Sequence, residues 1–513
     1  MTWFRYAVSF LVFHAFGITA LYALLRLQSG LPLNPQTLAD VSPDLALNTA
    51  VSFVTNTSWQ SYGGETTLSY ASQMAGITVQ SFLSAASGMA VALAFIRGFA
   101  RRRTATIGNF WVDLTRGTLY VLVPTCIIAA LLLVAEGVPQ TLAPSTEAAT
   151  LEGGLQIIAR GPVATQEAIK LLSGDGGGFF NANSAHPFEN PTPLTNLLEL
   201  VLIFALGAAL TNCFGRMVGS ERQGWVLFGV MAILFGFGVG GLYASEASGH
   251  PALATLNAAA NLQQPVANME GKEARFGIAG SSLFANVSTA SSDGAVNAMH
   301  DSFLPLSGGI LLANMMVDEV IIGAPGSGLF GMLLFCIVAV FLAGLMIGRT
   351  PEYVGKKIGS SQVKMTILAL IAVPAATLGL AAIACMVEPG LAGPGNAGPR
   401  GYSEILYAYT SAAATTGSAF AGLNANSPFY NLTLALAMFV GRFLVIVPVL
   451  AVAGSLAAQP IIPRSNGTLP TDRALFVSFL LGVIVIVGGL TYLPALALGP
   501  IIESLQIMGG TLY

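Results

Sequence analysis

Charge is what this sequence most lacks. Of its 513 residues only 9% are Asp, Glu, Lys or Arg, whereas 54% are hydrophobic. Too few polar side chains remain to coat a water-soluble body of that size, so the solvent around the chain must be lipid. Cysteine is scarce as well. Cys126, Cys213, Cys336 and Cys385 are widely spaced within apolar stretches, which argues against a disulfide framework or a thiolate metal site and leaves them as small buried hydrophobes. His14, His186, His250 and His300 are scattered and form no HExxH-type pair for catalytic zinc. A net charge of -3 gives no electrostatic footprint for nucleic acid. Nucleotide motifs are missing too: Gly271-Lys272 is followed by Glu273, not by the Ser or Thr of a Walker A loop, and there is no phosphorylatable-aspartate signature. No ATP site is therefore expected in this chain, and any energy its work requires would come from another chain or from an ion gradient.

What the sequence has in abundance is long apolar runs. Nine are long enough to cross a bilayer: 3–27, 72–98, 114–136, 194–215, 223–245, 306–347 (interrupted), 364–388, 429–456 and 474–497. The first follows only Arg5 and has no small-residue cleavage site before Leu31-Pro32-Leu33-Asn34-Pro35, so it reads as a retained span. Basic residues cluster in alternate loops: Arg97, Arg101, Arg102, Arg103 and Arg116; Arg216 and Arg222; Arg349, Lys356, Lys357 and Lys364; Arg464 and Arg473. Lysine and arginine near span ends stay on the cytoplasmic side. Residues 28–71, 137–193, 246–305 and 389–428 are then expected outside, with the N-terminus inside.

Each of those outer segments holds about ten moderately apolar residues, too few to span, ending in a turn of small residues. They are 46–56, 162–174, 281–292 and 402–415. A short helix that dips into the membrane and returns as extended chain is the natural reading. The turns run Thr55-Asn56-Thr57-Ser58-Trp59-Gln60, Gly174-Asp175-Gly176-Gly177-Gly178, Ser292-Asp293-Gly294-Ala295 and Thr415-Thr416-Gly417-Ser418. After the second and fourth, Phe180-Asn181-Ala182-Asn183-Ser184 parallels Leu423-Asn424-Ala425-Asn426-Ser427. Span, short helix, turn, span occurs four times, which predicts a pseudo-fourfold pore. A cation entering the membrane must exchange its hydration shell for oxygen ligands. Rings of backbone carbonyls supply them without a fixed charge that would trap the ion. Glycine at positive φ lets the chain turn its carbonyls inward, and the carbonyl-rich ends of the short helices precede each turn.

These segments resemble a known family. Leu47 to Phe53, Gly64 to Tyr70, Gly176 through Thr192, Asn268 to Glu273, Ala298 to Phe303, Gly348 to Tyr353 and Gly417 to Gly422 are similar to KdpA, the family of potassium-binding subunits of the bacterial Kdp ATPases. The resemblance implies an all-α polytopic membrane protein of four M1-P-M2 channel-like repeats, like the Trk/Ktr transporters, with an extra C-terminal span. Its divisions would be 1–113, 114–222, 223–363 with a broken second span, 364–463 and 464–513. It implies K+ as the transported ion, and as partners a P-type ATPase catalytic subunit (KdpB-like), a KdpC-like subunit, a small KdpF-like peptide and membrane lipid. The location implied is the bacterial inner membrane, with the filter facing the outside or periplasm. Mapped onto this sequence, the filter would comprise Asn56, Thr57, Ser58 and Gln60; Gly174, Asp175 and Gly176; Ser292, Asp293 and Gly294; Thr415, Thr416 and Gly417. Asp175 and Asp293 are acidic where a small neutral residue is expected.

Two features inside the spans call for a role. Arg442 lies within an apolar run, where an unpaired guanidinium is costly. It reads either as a positive barrier below the filter or as one end of an interhelical salt bridge, with Glu319 the candidate partner. The sixth run contains Asp318-Glu319 and then Gly323-Ala324-Pro325-Gly326-Ser327-Gly328, which cannot stay helical. Broken backbone at that depth survives only inside protein or beside water, so Glu319, Gly326, Ser327 and Gly328 read as a gate or a harmless kink. Two other functions compete. One is a stand-alone, gradient-driven Trk/Ktr-type transporter. The other is an intramembrane serine hydrolase using Ser327 with His300 as base.

Overall fold

The computed structural model describes residues 1–249, 267–317, 319–463, 465 and 467–509. His250, Asp318 and Arg464, named above, lie outside them. The described chain is mostly helical, because lipid offers no partner for a free N–H or C=O and the helix satisfies both within one segment. Among the described residues nine helices are long and apolar enough to cross a membrane.

The elements fall into four consecutive units. The first is α1 (Trp3–Arg26), the short α2 (Pro43–Val54) and α3 (Ser72–Ala100); the second is α4 (Phe110–Ala135), short α5 (Val163–Leu172) and α6 (Pro193–Met217). The third has α7 (Glu221–Ser248), short α8 (Gly277–Ser291), and a return path split into α9 (Pro305–Met316) and α10 (Ser327–Ile347). The fourth is α11 (Ser360–Met386), short α12 (Gly398–Ala413) and α13 (Pro428–Ala458), after which α14 (Ala474–Met508) closes the chain. Proline sets several of these starts. Pro43, Pro193, Pro305 and Pro428 each stand in a first turn, where the missing N–H costs nothing and φ is already helical. Thr192 and Ser427 cap two of them through their hydroxyls.

The units close into a ring. The return helix of each packs on the entry helix of the next: α3 on α4, α6 on α7, α10 on α11, and α13 back on α1. The return helices α3, α10 and α13 are mostly buried, whereas α1, α4 and α7 show most of their surface, including Leu119, Tyr120, Ile127 and Leu131. Entry helices α1, α4 and α7 thus form most of the lipid-facing belt and return helices α3, α10 and α13 most of the inner wall, with α6 and α11 intermediate. The ends carrying Arg97, Arg101–Arg103 and Arg216 lie at one side of the bundle, and the short helices enter from the other.

Three features exceed the sequence expectation. Three of the short helices begin three or four residues earlier than hydropathy suggests, at Pro43, Gly277 and Gly398, through polar or glycine-rich first turns; the second begins at Val163, within one residue of the expectation. Two small antiparallel hairpins break the all-helical pattern, β1 (Thr146–Ala149) with β2 (Leu155–Ile158) and β3 (Glu352–Tyr353) with β4 (Lys356–Lys357). In the second hairpin, Lys356 donates to the carbonyls of Arg101, Leu456 and Gln459 at 2.5, 2.9 and 2.9 Å, meeting the exposed carbonyl ends of α3 and α13.

Candidate functional site

Each short helix ends in a turn of one backbone pattern. Asn56 and Ser58 have φ of 63° and 52°, Gly174 and Gly176 56° and 69°, Ser292 and Gly294 57° and 84°, Thr415 and Gly417 49° and 94°. The residue between each pair, Thr57, Asp175, Asp293 or Thr416, keeps negative φ. Alternating the two hands along a chain turns successive carbonyls to the same side, so each turn presents a short column of main-chain oxygens. Non-glycine residues in left-handed conformation are uncommon, and three at the equivalent first position, Asn56, Ser292 and Thr415, mark a shared constraint rather than local accident.

The turns touch in cyclic order. A Cβ added to Gly176 would fall 2.0 Å from the carbonyl oxygen of Asp293; on Gly294 it would fall 2.0 Å from that of Thr416; on Gly417, 2.0 Å from that of Thr57. First and second turns meet through side chains. The Asn56 amide donates to the carbonyls of Ser173 and Gly174 at 3.4 and 3.3 Å, while Gln60 donates to Gly178 O at 3.1 Å and accepts from Gly178 N at 2.9 Å. The structure thus brings Asn56, Thr57, Ser58, Gln60, Gly174, Asp175, Gly176, Ser292, Asp293, Gly294, Thr415, Thr416 and Gly417 into one ring. The two unexpected carboxylates turn back onto their own hairpins. Asp175 accepts from the Ser173 hydroxyl and Asp293 from the Ala295 amide at 3.0 Å.

Behind the second turn lies a network that sequence reasoning missed. Lys170, buried on α5, contacts Glu189 at 2.6 Å and Glu167 at 2.8 Å and donates to Asn183 at 2.9 Å. Asn183 in turn donates to the Gly177 carbonyl, and Glu189 accepts from Phe180 N at 2.8 Å. The signal was available: an ionisable residue amid an apolar helix needs a partner. At the mouth, Glu65 accepts from Asn181 N at 2.9 Å, and its burial pushes the carboxyl above the ordinary glutamate value. A second buried pair, Lys272 with Glu246 at 2.7 Å, ties α7 to the chain just before α8, and Arg400 joins Asp301 at 2.8 Å.

The break between α9 and α10 lies directly against the turns. Ala324 N donates to Ser291 O at 2.8 Å, and a Cβ on Gly174 would sit 2.9 Å from Ala324. Gly88 on α3 and Gly207 on α6 admit this segment, their absent Cβ atoms standing 2.6 Å from Pro325 O and 2.4 Å from Gly323 O. Gly326 has φ 113° and packs on the Gly88 carbonyl, while Gly328 meets Gly323 backbone. Beside the break is a cavity of about 20 Å³, room for one water-sized particle, lined by Glu319, Ser327, Thr415 and Arg442 among others. Thr415 donates to Glu319 at 2.6 Å, and the buried Arg442 donates to Ser84 O at 3.2 Å. Arg442 and Glu319 therefore share one small chamber. Ser327 donates to Ala324 O at 3.2 Å and His300 bonds Tyr407 at 3.0 Å. Serine and histidine are thus engaged separately, and the geometry of a hydrolase dyad is not formed.

Comparison with known proteins decides the family. A model described as the potassium-transporting ATPase A subunit matches residues 1–505. This chain belongs to the potassium-transporting ATPase A subunit family. Family relatives named "Potassium-transporting ATPase potassium-binding subunit" include those of Methylorubrum populi, 62% identical, Methylobacterium nodulans, 61%, and Granulibacter bethesdensis, 60%; each alignment takes in 100% of this chain and 89% of the relative. Among solved structures, the potassium transporter TrkH from Vibrio parahaemolyticus shares the fold, with a TM-score of 0.56 at 14% identity over 86% of this chain and 84% of that one. The family's four-unit architecture is thus that of a potassium transporter fold with little sheet.

Proposed function

We propose that this member of the family is the potassium-binding and translocating subunit of an ATP-driven K+ uptake system, and that the ring of four turns is its selectivity filter. The observation that carries this reading is the repeated positive, negative, positive φ, present in all four turns and closed by contacts between neighbours. Such a ring offers a dehydrated monovalent cation several main-chain oxygens and no fixed charge at the axis. The carboxylates of Asp175 and Asp293 bond within their own hairpins, which keeps the ligand set neutral.

In this reading the chain divides as 1–113, 114–222, 223–363 and 364–463 into the four repeats, with 464–513 as an added span. The basic ends face the cytoplasm of an inner membrane and the filter faces outside. Glu319, Gly326, Ser327, Gly328 and the guanidinium of Arg442 block the axis below the filter, so an ion leaves sideways toward a P-type ATPase subunit. KdpC-like and KdpF-like chains complete the complex. The name shared by the relatives, which places them in an ATPase, supports an energised partner rather than a gradient.

The test is Gly294→Ser, made also at Gly176, with growth and uptake measured at limiting potassium. A Cβ at either position meets a carbonyl oxygen at 2.0 Å, so apparent K+ affinity should fall at least about tenfold. Unchanged affinity in both variants would refute the filter. Uptake by proteoliposomes holding this chain alone would favour the stand-alone transporter.

A further inference from the structure

The ring has one seam unlike the other three. At those three, a left-handed glycine lies against a neighbouring carbonyl, with only 2.0 Å between that oxygen and the place a Cβ would occupy. The equivalent residue in the first turn is Ser58, which is also left-handed. Serine has a Cβ, and real Cβ atoms essentially never approach another heavy atom within 3.0 Å. The main chains of the first and second turns must stand correspondingly further apart. Glycine would adopt this backbone with less strain, so the side chain has to be explained.

Side chains fill the wider seam. Asn56 and Gln60 reach turn two at either end, through Gly174 and Gly178. Residues 56, 58 and 60 alternate along the chain, and Ser58 falls between the two contacts. Its hydroxyl is buried without an assigned partner, and so is the second carboxylate oxygen of Asp175. Besides Ser173, the hydroxyls of Ser58 and of Ser81 on α3 lie near that carboxylate. A donor and an acceptor, neither with a hydrogen-bond partner, thus lie together at the one seam where the left-handed glycine, Gly177, has the Ser58 side chain and not a carbonyl oxygen as its nearest neighbour. Buried polar groups are rarely left unsatisfied, and a small rotation of either pairs them.

We propose that Ser58 and Asp175 form a side-chain clasp closing the filter between its first and second turns, which sets the width of that seam and hence the discrimination of K+ against Na+. This rests on the filter reading above. The two residues act as positioning residues: neither side chain need touch the ion. A carbonyl ring selects by holding its oxygens at the separation a larger cation requires, and a seam free to move would let the ring follow a smaller one.

The experiment uses the assembled complex, reading ATP hydrolysis stimulated by K+ and by Na+ together with thermal stability. Ser58→Gly keeps the backbone and removes the hydroxyl; Asp175→Asn keeps the shape and changes the acceptor. Each is expected to lower the preference for K+ over Na+ about tenfold, the worth of one hydrogen bond to a charged group. The double variant should lose little more than either alone, because both act on one contact. Native ion preference in Ser58→Gly overturns the clasp, as does a change in melting temperature with no change in preference. Should Asp175→Asn fail to assemble, Ser58→Gly decides alone. Gly294→Ser separates the two ideas: if it impairs K+ binding while Ser58→Gly does not, the clasp fails and the filter stands; if it too is silent, the filter reading falls with it.

Discussion

Thr415 donates a 2.6 Å hydrogen bond to Glu319, tying the inner end of the fourth turn to the broken sixth span. The two belong to different units, so the bond ties the break to the fourth turn directly. Thr415→Val keeps the shape and deletes the donor, and it should destabilise by about 1–3 kcal/mol. We expect a lower melting temperature in the assembled complex and more ATP hydrolysed per K+ moved. A normal transport ratio with reduced stability would make the bond purely structural.

Arg442 places a unit positive charge in the same small chamber. Between charges a few ångströms apart near a protein interior, electrostatic energies are about 4 kcal/mol. Arg442→Gln should therefore raise K+ leakage in the absence of ATP at least about tenfold, read as isotope efflux from proteoliposomes. Identical leak, coupling and affinity would reduce the arginine to scaffolding.

Lys170 is the cation holding Glu167 and Glu189 together behind the second turn. Removing one partner of a buried pair leaves its counter-charges uncompensated, at a cost of about 3–5 kcal/mol. Lys170→Met should accordingly lower thermal stability strongly, and adding Glu167→Gln should recover part of the loss. No recovery would show that packing of the lysine stem, not charge, matters there.

Glu65 supplies a pH signature. Its folded value is raised by burial above the ordinary 4.5. The stabilising contribution is therefore full below the ordinary value and is lost as pH rises through the raised one. Glu65→Gln carries no such dependence. The variant should melt higher than the native protein near neutral pH, with the gap closing as the medium is acidified. A gap that is constant with pH would contradict the assignment.

Most of the architecture was legible because lipid imposes it. A run of twenty apolar residues has few alternatives to a spanning helix, and a run of ten flanked by glycine is too short to be one. The turns at Gly174 and Gly417 announced themselves through residues that only unusual backbone requires. What remained hidden was everything fixed by neighbours distant in sequence. Nothing near Ser58 points to Asp175, and nothing near Gly88 or Gly207 says that each leaves space for Pro325 and Gly323. The acidic residues were ambiguous for the same reason. Whether Asp293 faces the axis depends on Ala295 N lying within its reach, a matter of turn geometry rather than composition.

Among the described residues only the third unit has its return path split into two helices, and that is open to a single chain in a way it is not to a tetramer of identical subunits. Four copies of such a break would converge from every side and shut the conduit symmetrically. With one, the fourfold likeness of the walls ends at a single side, and whatever the break does it does from that side alone.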